Sequence, residues 1–201
     1  MLEDAARWDL PWPRLLIPPY REMTLGMWSI RRMAPVPQWR YFHAELISAG
    51  QYTLLAGDES WMSTAPIEIE GQAQHVAAAH GHVVVMGAGL GVVLYNLLRK
   101  RQVTHVTLVE CDPDVITLLR QAADLDSWDG IEKLTCEIGD AFEYHSPMPV
   151  DTLYMDIWPS RRTRKRWPIR STFSVTLGRV RWGGGRRKCF SCTGWSNTAT
   201  I

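Results

Sequence analysis

Apolar and polar positions change period several times along the chain, and each change marks an element. Val83, Val84, Val85 and Met86 form an unbroken apolar run. A short run without alternation predicts a parallel strand covered on both faces. From Leu90 to Arg101 the period lengthens. Leu90, Val93, Leu94, Leu97 and Leu98 fall on one stripe and predict an amphipathic helix closing on Arg99, Lys100 and Arg101. Cations there suit the negative end of a helix dipole. Val106, Thr107, Leu108 and Val109 predict a second strand ending at Glu110. Asp112-Pro113-Asp114 is a helix start, with Asp112 as N-cap and Pro113 at the first helical position. Val115, Ile116, Leu118 and Leu119 give that helix its buried face. Leu134 to Glu137 predicts a third strand, and Val150 to Asp156 a fourth.

The pattern upstream is less regular. Pro11, Pro13, Pro18, Pro19, Pro35 and Pro37 predict local turns and no regular element over residues 1–40. Residues 41–48 and 51–57 alternate around Ala49-Gly50 and predict the two strands of a hairpin. Glu68 to Ala79 predicts a helix leading into the first sheet strand. The expected organisation is an irregular segment (1–40), a small β-hairpin and helix element (41–80), a cofactor-binding α/β core (81–160) and a basic, poorly patterned tail (161–201).

The first strand and its helix are joined by Gly87-Ala88-Gly89-Leu90-Gly91. Glycines let the backbone turn sharply and let a ligand come close, and the helix that follows directs free N–H groups at that ligand. Glu110 lies 23 residues after Gly87, where a carboxylate can chelate a ribose diol. A dinucleotide fingerprint needs its third glycine at position 92, which is Val92, so the loop reads G-x-G-x-G. An ordinary strand-loop-helix turn with a surface Glu110 is the alternative.

The loop, with Glu110 and then Asp112, resembles the first motif and the following acidic motif of class I S-adenosylmethionine-dependent methyltransferases. The resemblance implies an α/β, Rossmann-like methyltransferase fold with a parallel-sheet core and a small N-terminal β element. It also implies S-adenosylmethionine as cofactor. Gly87, Ala88, Gly89 and Gly91 would lie against the cofactor, with Glu110, Cys111 and Asp112 at its ribose side. Asp140 and Ala141 would contact the adenine, although Asp140 also reads as an Asx-turn residue. Asp156, at the carboxyl end of the fourth strand, would be the catalytic residue at the reacting end, or else a loop-entry carboxylate. Trp61, Ser63 and His75 flank the segment before the glycine loop and are candidates for the substrate side, or structural residues.

Within that superfamily, LLAGDESWMSTAPIEIEG resembles the strand-turn-strand before the first helix of the spermidine synthase branch, over residues 40–157. Aminopropyltransferases of that branch carry an acid in the glycine loop, where this chain has Leu90. They carry a second aspartate shortly after the fourth-strand acid, where it has Ile157-Trp158-Pro159. The expectation is therefore a methyltransferase of unidentified acceptor, with aminopropyl transfer as the alternative.

Composition changes this picture at one end. The net charge is +1, yet all 21 acids and half of the 22 bases lie before residue 161. The remaining bases crowd residues 161–201, beginning with the Arg161–Arg166 cluster. Such a split is typical of nucleic-acid-binding tails. Helical periodicity is absent there, and only Thr172 to Leu177 predicts a short strand. The family fold needs roughly 60–90 residues after its fourth strand. The tail is thus read as an out-of-frame ending that leaves the C-terminal half incomplete and the fourth strand as a sheet edge, with an inactive truncated copy or an unusual compact ending as further alternatives. A basic nucleic-acid-binding arm is another.

Cys111, Cys136, Cys189 and Cys192 form no disulfide framework by spacing, and Cys189-x-x-Cys192 lacks the second ligand pair of a structural zinc site. No metal is expected. No apolar run is long enough to span a membrane, and the first residues include acids rather than an apolar signal core. A cytoplasmic protein that does not engage membranes is the expectation, with a homodimer left open.

Overall fold

The computed structural model describes residues 14–34 and 51–157, together with the backbone of residues 173–176. The predicted strand at 41–48, the Arg161–Arg166 cluster and the Cys189/Cys192 pair lie outside the described residues.

The fold is α/β and holds two sheets. Four antiparallel strands, β1 (Met23–Leu25), β2 (Trp28–Arg32), β3 (Tyr52–Ala56) and β4 (Glu59–Ser63), pair in chain order. They are followed by α1 (Pro66–Ala78), β5 (Gly81–Met86), α2 (Val92–Leu98), β6 (Val103–Glu110), α3 (Pro113–Ala123), β7 (Leu134–Ile138), β8 (Thr152–Met155) and β9 (Phe173–Thr176). The second sheet has the order β7-β6-β5-β8-β9, with four parallel strands and β9 antiparallel to β8.

Three expectations need correction. Residues 1–40 are not wholly irregular, because Leu25 pairs with Trp28 across the two-residue loop Gly26-Met27. Gly26 takes φ +57, which suits such a tight loop, and the prolines fall outside both strands. The hairpin partners of strand β3 are β2 and β4, which fill both its edges. The loop Gly57-Asp58 makes the β3–β4 hairpin, with Gly57 at φ +58. Finally, β8 is not a bare edge, because β9 pairs with it within the predicted 172–177 segment.

Helix α2 is also shorter than its apolar stripe. It begins after Gly91, whose left-handed φ of +73 is incompatible with a helical turn, and ends at Leu98. Lys100 then turns away to a different helix. Its ammonium donates to the Val76 carbonyl (2.7 Å), the Ala79 carbonyl (2.6 Å) and the Ala77 carbonyl at the C-terminus of α1. Of these carbonyls Val76 receives only the Ala79 N–H at 3.3 Å at the helix end, so the lysine supplies donors that the last turn lacks. Lys133 closes α2 in the same way, through the Leu98 carbonyl at 2.9 Å.

The parallel sheet divides its apolar residues by the alternation of a strand. Val83, Val85, Val106 and Leu108 join the main core with the buried faces of all three helices and with Trp28, Ile30 and Leu54 of the first sheet. Val84, Met86, Val109 and Leu153 form a smaller cluster on the other face. Before β1, the chain is fastened across the helices. The Asn96 amide brackets Leu16, the Arg21 N–H donates to the Ala122 carbonyl, and Arg21 pairs with Asp124.

Lys100→Met keeps the stem but removes the three bonds to α1. Hydrogen bonds to charged groups contribute roughly 1.5–3 kcal/mol, so a loss of about 2 kcal/mol is expected in urea unfolding. An unchanged midpoint would show that water caps α1 equally well.

Candidate functional site

The direction of strand order reverses between β5 and β8, since β6 and β7 lie on one side of β5 and β8 on the other. Open α/β sheets bind ligands outside the carboxyl ends of their strands at such a point. The loop after β5, Glu110 at the end of β6 and Asp156 just beyond β8 all lie on that edge.

Close packing dictates part of the loop. A Cβ on Gly87 would lie 2.5 Å from the Asp156 carbonyl oxygen, so glycine is needed for β8 to end beside the loop. A Cβ on Gly91 would lie 2.8 Å from the Trp128 ring. At Gly89 the neighbour is instead the Met62 sulfur at 2.5 Å, the end of a flexible side chain. Met62 Sδ also accepts from the Leu90 N–H at 3.3 Å, while the Leu90 carbonyl accepts from the Tyr20 hydroxyl at 2.6 Å. Of the three glycines, Gly89 alone faces the end of a flexible side chain instead of a backbone carbonyl or an aromatic ring.

Glu110 is a buried carboxylate that fastens this loop. Its Oε2 accepts from the Ala88 N–H at 2.8 Å and its Oε1 from the Asp112 N–H at 3.0 Å. The Cys111 N–H bonds the same carboxylate. Burial raises its pKa, and these three N–H groups offset part of that rise. A carboxylate has about four lone-pair sites, so some acceptor capacity remains for a hydroxyl.

The other sequence-predicted residues fall around this joint. Asp112 Oδ1 caps α3 through the Asp114 N–H at 3.0 Å, and its Oδ2 accepts from Trp28 Nε1 at 2.8 Å. Asp112 thus ties the first sheet to the site. Spacing gives no disulfide framework, and Cys136 is a free thiol, but Cys111 is disulfide-bonded. Its sulfur is thereby taken, and its N–H remains on Glu110. The Gly139 N–H donates to the Glu110 carbonyl at 2.9 Å, which brings Asp140 and Ala141 beside the joint. Asp140 Oδ1 accepts from the Phe142 N–H at 2.8 Å, an Asx turn. Ala141 packs against the smaller apolar cluster.

The Asp156 end of this edge contains a residue the sequence reading misses. Glu68, in the first turn of α1, accepts from the Ser63 N–H at 2.7 Å and the Ser63 hydroxyl at 2.9 Å. Its carboxyl pKa is raised by burial, with a smaller contribution from the charge of Asp156. Burial also raises the Asp156 carboxyl, which accepts a long contact of 3.4 Å from the Tyr154 hydroxyl. The Tyr154 hydroxyl is pushed well up by burial, then by Asp156 and Glu68. His75 meets the Tyr154 ring edge-on at 6.0 Å, and burial lowers its pKa. Trp61 instead packs edge-on to Trp28 at 5.3 Å. An acid in a first helical turn reads as dipole stabilisation, so nothing in the pattern singles out Glu68.

Among the described residues, no lysine, arginine or histidine forms an ion pair with Glu68, Glu110 or Asp156. Nor does any group of three or more metal-ligating side chains occur among them. No helix among them is long and apolar enough to cross a membrane. No protein-family model matches the chain, and no curated protein matches it.

Burial keeps the Glu68 and Asp156 carboxyls protonated to higher pH in the fold than in the open chain. Above the ordinary carboxylate range the folded state therefore holds more protons, and stability falls as pH rises through that interval. Asp156→Asn removes one such group at nearly constant shape. The expected result is a flatter decline of melting temperature towards neutral pH and a higher melting point there. A lower melting point at neutral pH would show that the Asp156 charge stabilises the fold.

Glu110→Ala leaves the Ala88, Cys111 and Asp112 N–H groups without their acceptor. Each orphaned buried donor costs roughly 1–3 kcal/mol, so a loss of about 2 kcal/mol or more is expected in urea unfolding. A change within error would mean that the carboxylate does not hold the loop.

Proposed function

We propose that the chain binds S-adenosylmethionine at the crevice between β5 and β8 and transfers its methyl group to an acceptor, in the manner of the Rossmann-like class I methyltransferases. The observation that carries this reading is the placement of Glu110 and Asp156 on either side of the glycine loop, at the switch point of a parallel sheet. S-adenosylmethionine supplies an electrophilic methyl group on a cationic sulfur. Glu68, Glu110 and Asp156 crowd negative charge on this edge, which favours a sulfonium and repels the pyrophosphate of a dinucleotide.

The residues divide the work. Glu110 has acceptor capacity for a ribose hydroxyl while its N–H partners fix its orientation. Asp140 and the Ala141 backbone, held next to Glu110 by Gly139, are placed to take the adenine. Gly89 offers its backbone once Met62 moves. Methyl transfer depends on aligning the acceptor and excluding water. Asp156 is positioned to take a proton from an amine or hydroxyl acceptor, and a strongly acidic acceptor needs no such base.

Aminopropyl transfer is the second reading. Glu68 favours it, because α1 contributes an acid beside Asp156 that Leu90 of the loop does not. Preference for decarboxylated S-adenosylmethionine over the parent cofactor would select that reading. A nucleic-acid role for the basic tail concerns residues outside those described. It predicts salt-sensitive binding that is lost on deleting residues 161–201.

Calorimetric titration of the folded chain with S-adenosylmethionine and, separately, NAD tests the main reading. Saturable binding of the first alone is expected. Glu110→Gln is expected to weaken it by about tenfold or more, the equivalent of about 1.4 kcal/mol. A folded chain that binds neither compound, or NAD more tightly, would contradict the assignment.

A further inference from the structure

Strand β4 delivers a side chain to the glycine loop by breaking its own alternation. Leu55 pairs with Ser60 and Leu54 with Met62, so β4 advances two residues where β3 advances one. Ser60 is exposed, and strict alternation would return Met62 to the same face two residues later. The bulge at Trp61 instead turns Met62 to the face of Leu54, which is buried in the main core. Bulges are over-represented beside active sites, where they re-aim a side chain.

The thioether so delivered fills the space that Gly89 leaves. Met62 Sδ lies 2.5 Å, and its methyl carbon 3.6 Å, from the place a Cβ on Gly89 would take. The sulfur also accepts from the Leu90 N–H at 3.3 Å, and the Leu90 carbonyl accepts from the Tyr20 hydroxyl at 2.6 Å. Tyr20 is buried and packs against Tyr52 of β3 at 5.1 Å. Side chains from the part of the chain before α1 therefore hold both polar groups of the Leu90 backbone. The two holds are unequal. A phenol donating to a carbonyl makes an ordinary hydrogen bond, whereas a thioether is a weak acceptor on an unbranched, flexible chain. Tyr20 is buried and Met62 is part-exposed, so Tyr20 is the anchor and Met62 the contact that gives way.

We propose that Met62 is a displaceable plug on the glycine loop, an autoinhibitory contact that a ligand must expel before it reaches Gly89. The inference rests on the reading of this loop as a cofactor site and concerns access to it. With the plug seated, the apparent affinity is the intrinsic affinity reduced by the fraction of molecules in which Met62 is withdrawn. An open fraction of about one tenth lowers the apparent affinity about tenfold. A methionine that only filled a packing gap would affect stability and leave affinity unchanged.

The test titrates the full chain with S-adenosylmethionine and, separately, with NAD. Met62→Ala removes the plug. Met62→Val withdraws the sulfur, keeps a residue suited to a strand and carries the test if Met62→Ala does not fold. Tyr20→Phe removes the anchoring bond and leaves Gly89 covered. Melting curves establish which variants are folded. The expected result is S-adenosylmethionine affinity raised by about tenfold or more in the Met62 variants and not raised in Tyr20→Phe.

A gain for NAD in place of S-adenosylmethionine would keep the plug and remove the cofactor assignment. Equal affinity in the parent and the Met62 variants would overturn the plug and leave the assignment standing. Weaker binding by the Met62 variants would make Met62 a ligand contact, and an equal gain in Tyr20→Phe would make the effect a general loosening of the loop. Either outcome overturns the plug, as does failure of both Met62 variants to fold, which would make Met62 a structural residue. Binding of neither compound by any folded chain would overturn plug and assignment together.

Discussion

The Glu110 carboxylate is the joint on which the rest of the site depends. It ends β6, takes the Ala88 N–H of the glycine loop on one oxygen and holds the Asp112 N–H before α3 on the other. Asp112, so placed, caps α3 and accepts the Trp28 indole from the first sheet. The Glu110 carbonyl takes the Gly139 N–H after β7. One residue thus sets the relative positions of the loop, two parallel strands, a helix start and, through Asp112, the antiparallel sheet. A buried charge is costly unless hydrogen bonds satisfy it, and here those bonds are the means by which the edge is ordered.

The other half of the crevice follows a different logic. Glu68 and Asp156 sit close together, partly removed from water, with no described cation between them. A fold optimised for stability alone would not keep two such groups adjacent. Local rules are broken in this way at sites that bind something, where stability is exchanged for complementarity. The small residues nearby have a related cause. Gly87 lets the end of β8 approach the loop, so the distance between loop and acid is set by backbone contact.

Much of the α/β core could be read from the chain because its strands are uniform apolar runs and its caps use side chains with one obvious purpose. The Val83–Met86 run, the Asp112-Pro113 start of α3 and the placement of Glu110 after β6 all emerge from local pattern. The failures come where the cause is non-local. Prolines on both sides of Met23–Arg32 hide a hairpin whose signal is a single Gly-Met loop. The partners of β3 depend on β2 reaching across from a segment that reads as irregular. Lys100 looks like a cap for its own helix and serves α1 instead. Glu68 gains meaning only when α1 folds back along β8 and brings it to Asp156. Asp140 reads both ways in the sequence, and its side chain makes the Asx turn while its backbone neighbour Gly139 bonds Glu110.

The central claim is that the carboxyl edge between β5 and β8 is a S-adenosylmethionine site. An NMR titration of the ¹⁵N- and methionine-methyl-¹³C-labelled chain with S-adenosylmethionine tests it most directly, because it reports position as well as affinity. The account predicts saturable shifts concentrated at the Ala88, Gly89, Glu110, Asp140 and Asp156 amides, with a matching change at the Met62 methyl group as it leaves Gly89. Shifts confined to residues away from that edge, or no shifts in a folded chain at saturating cofactor, would contradict it.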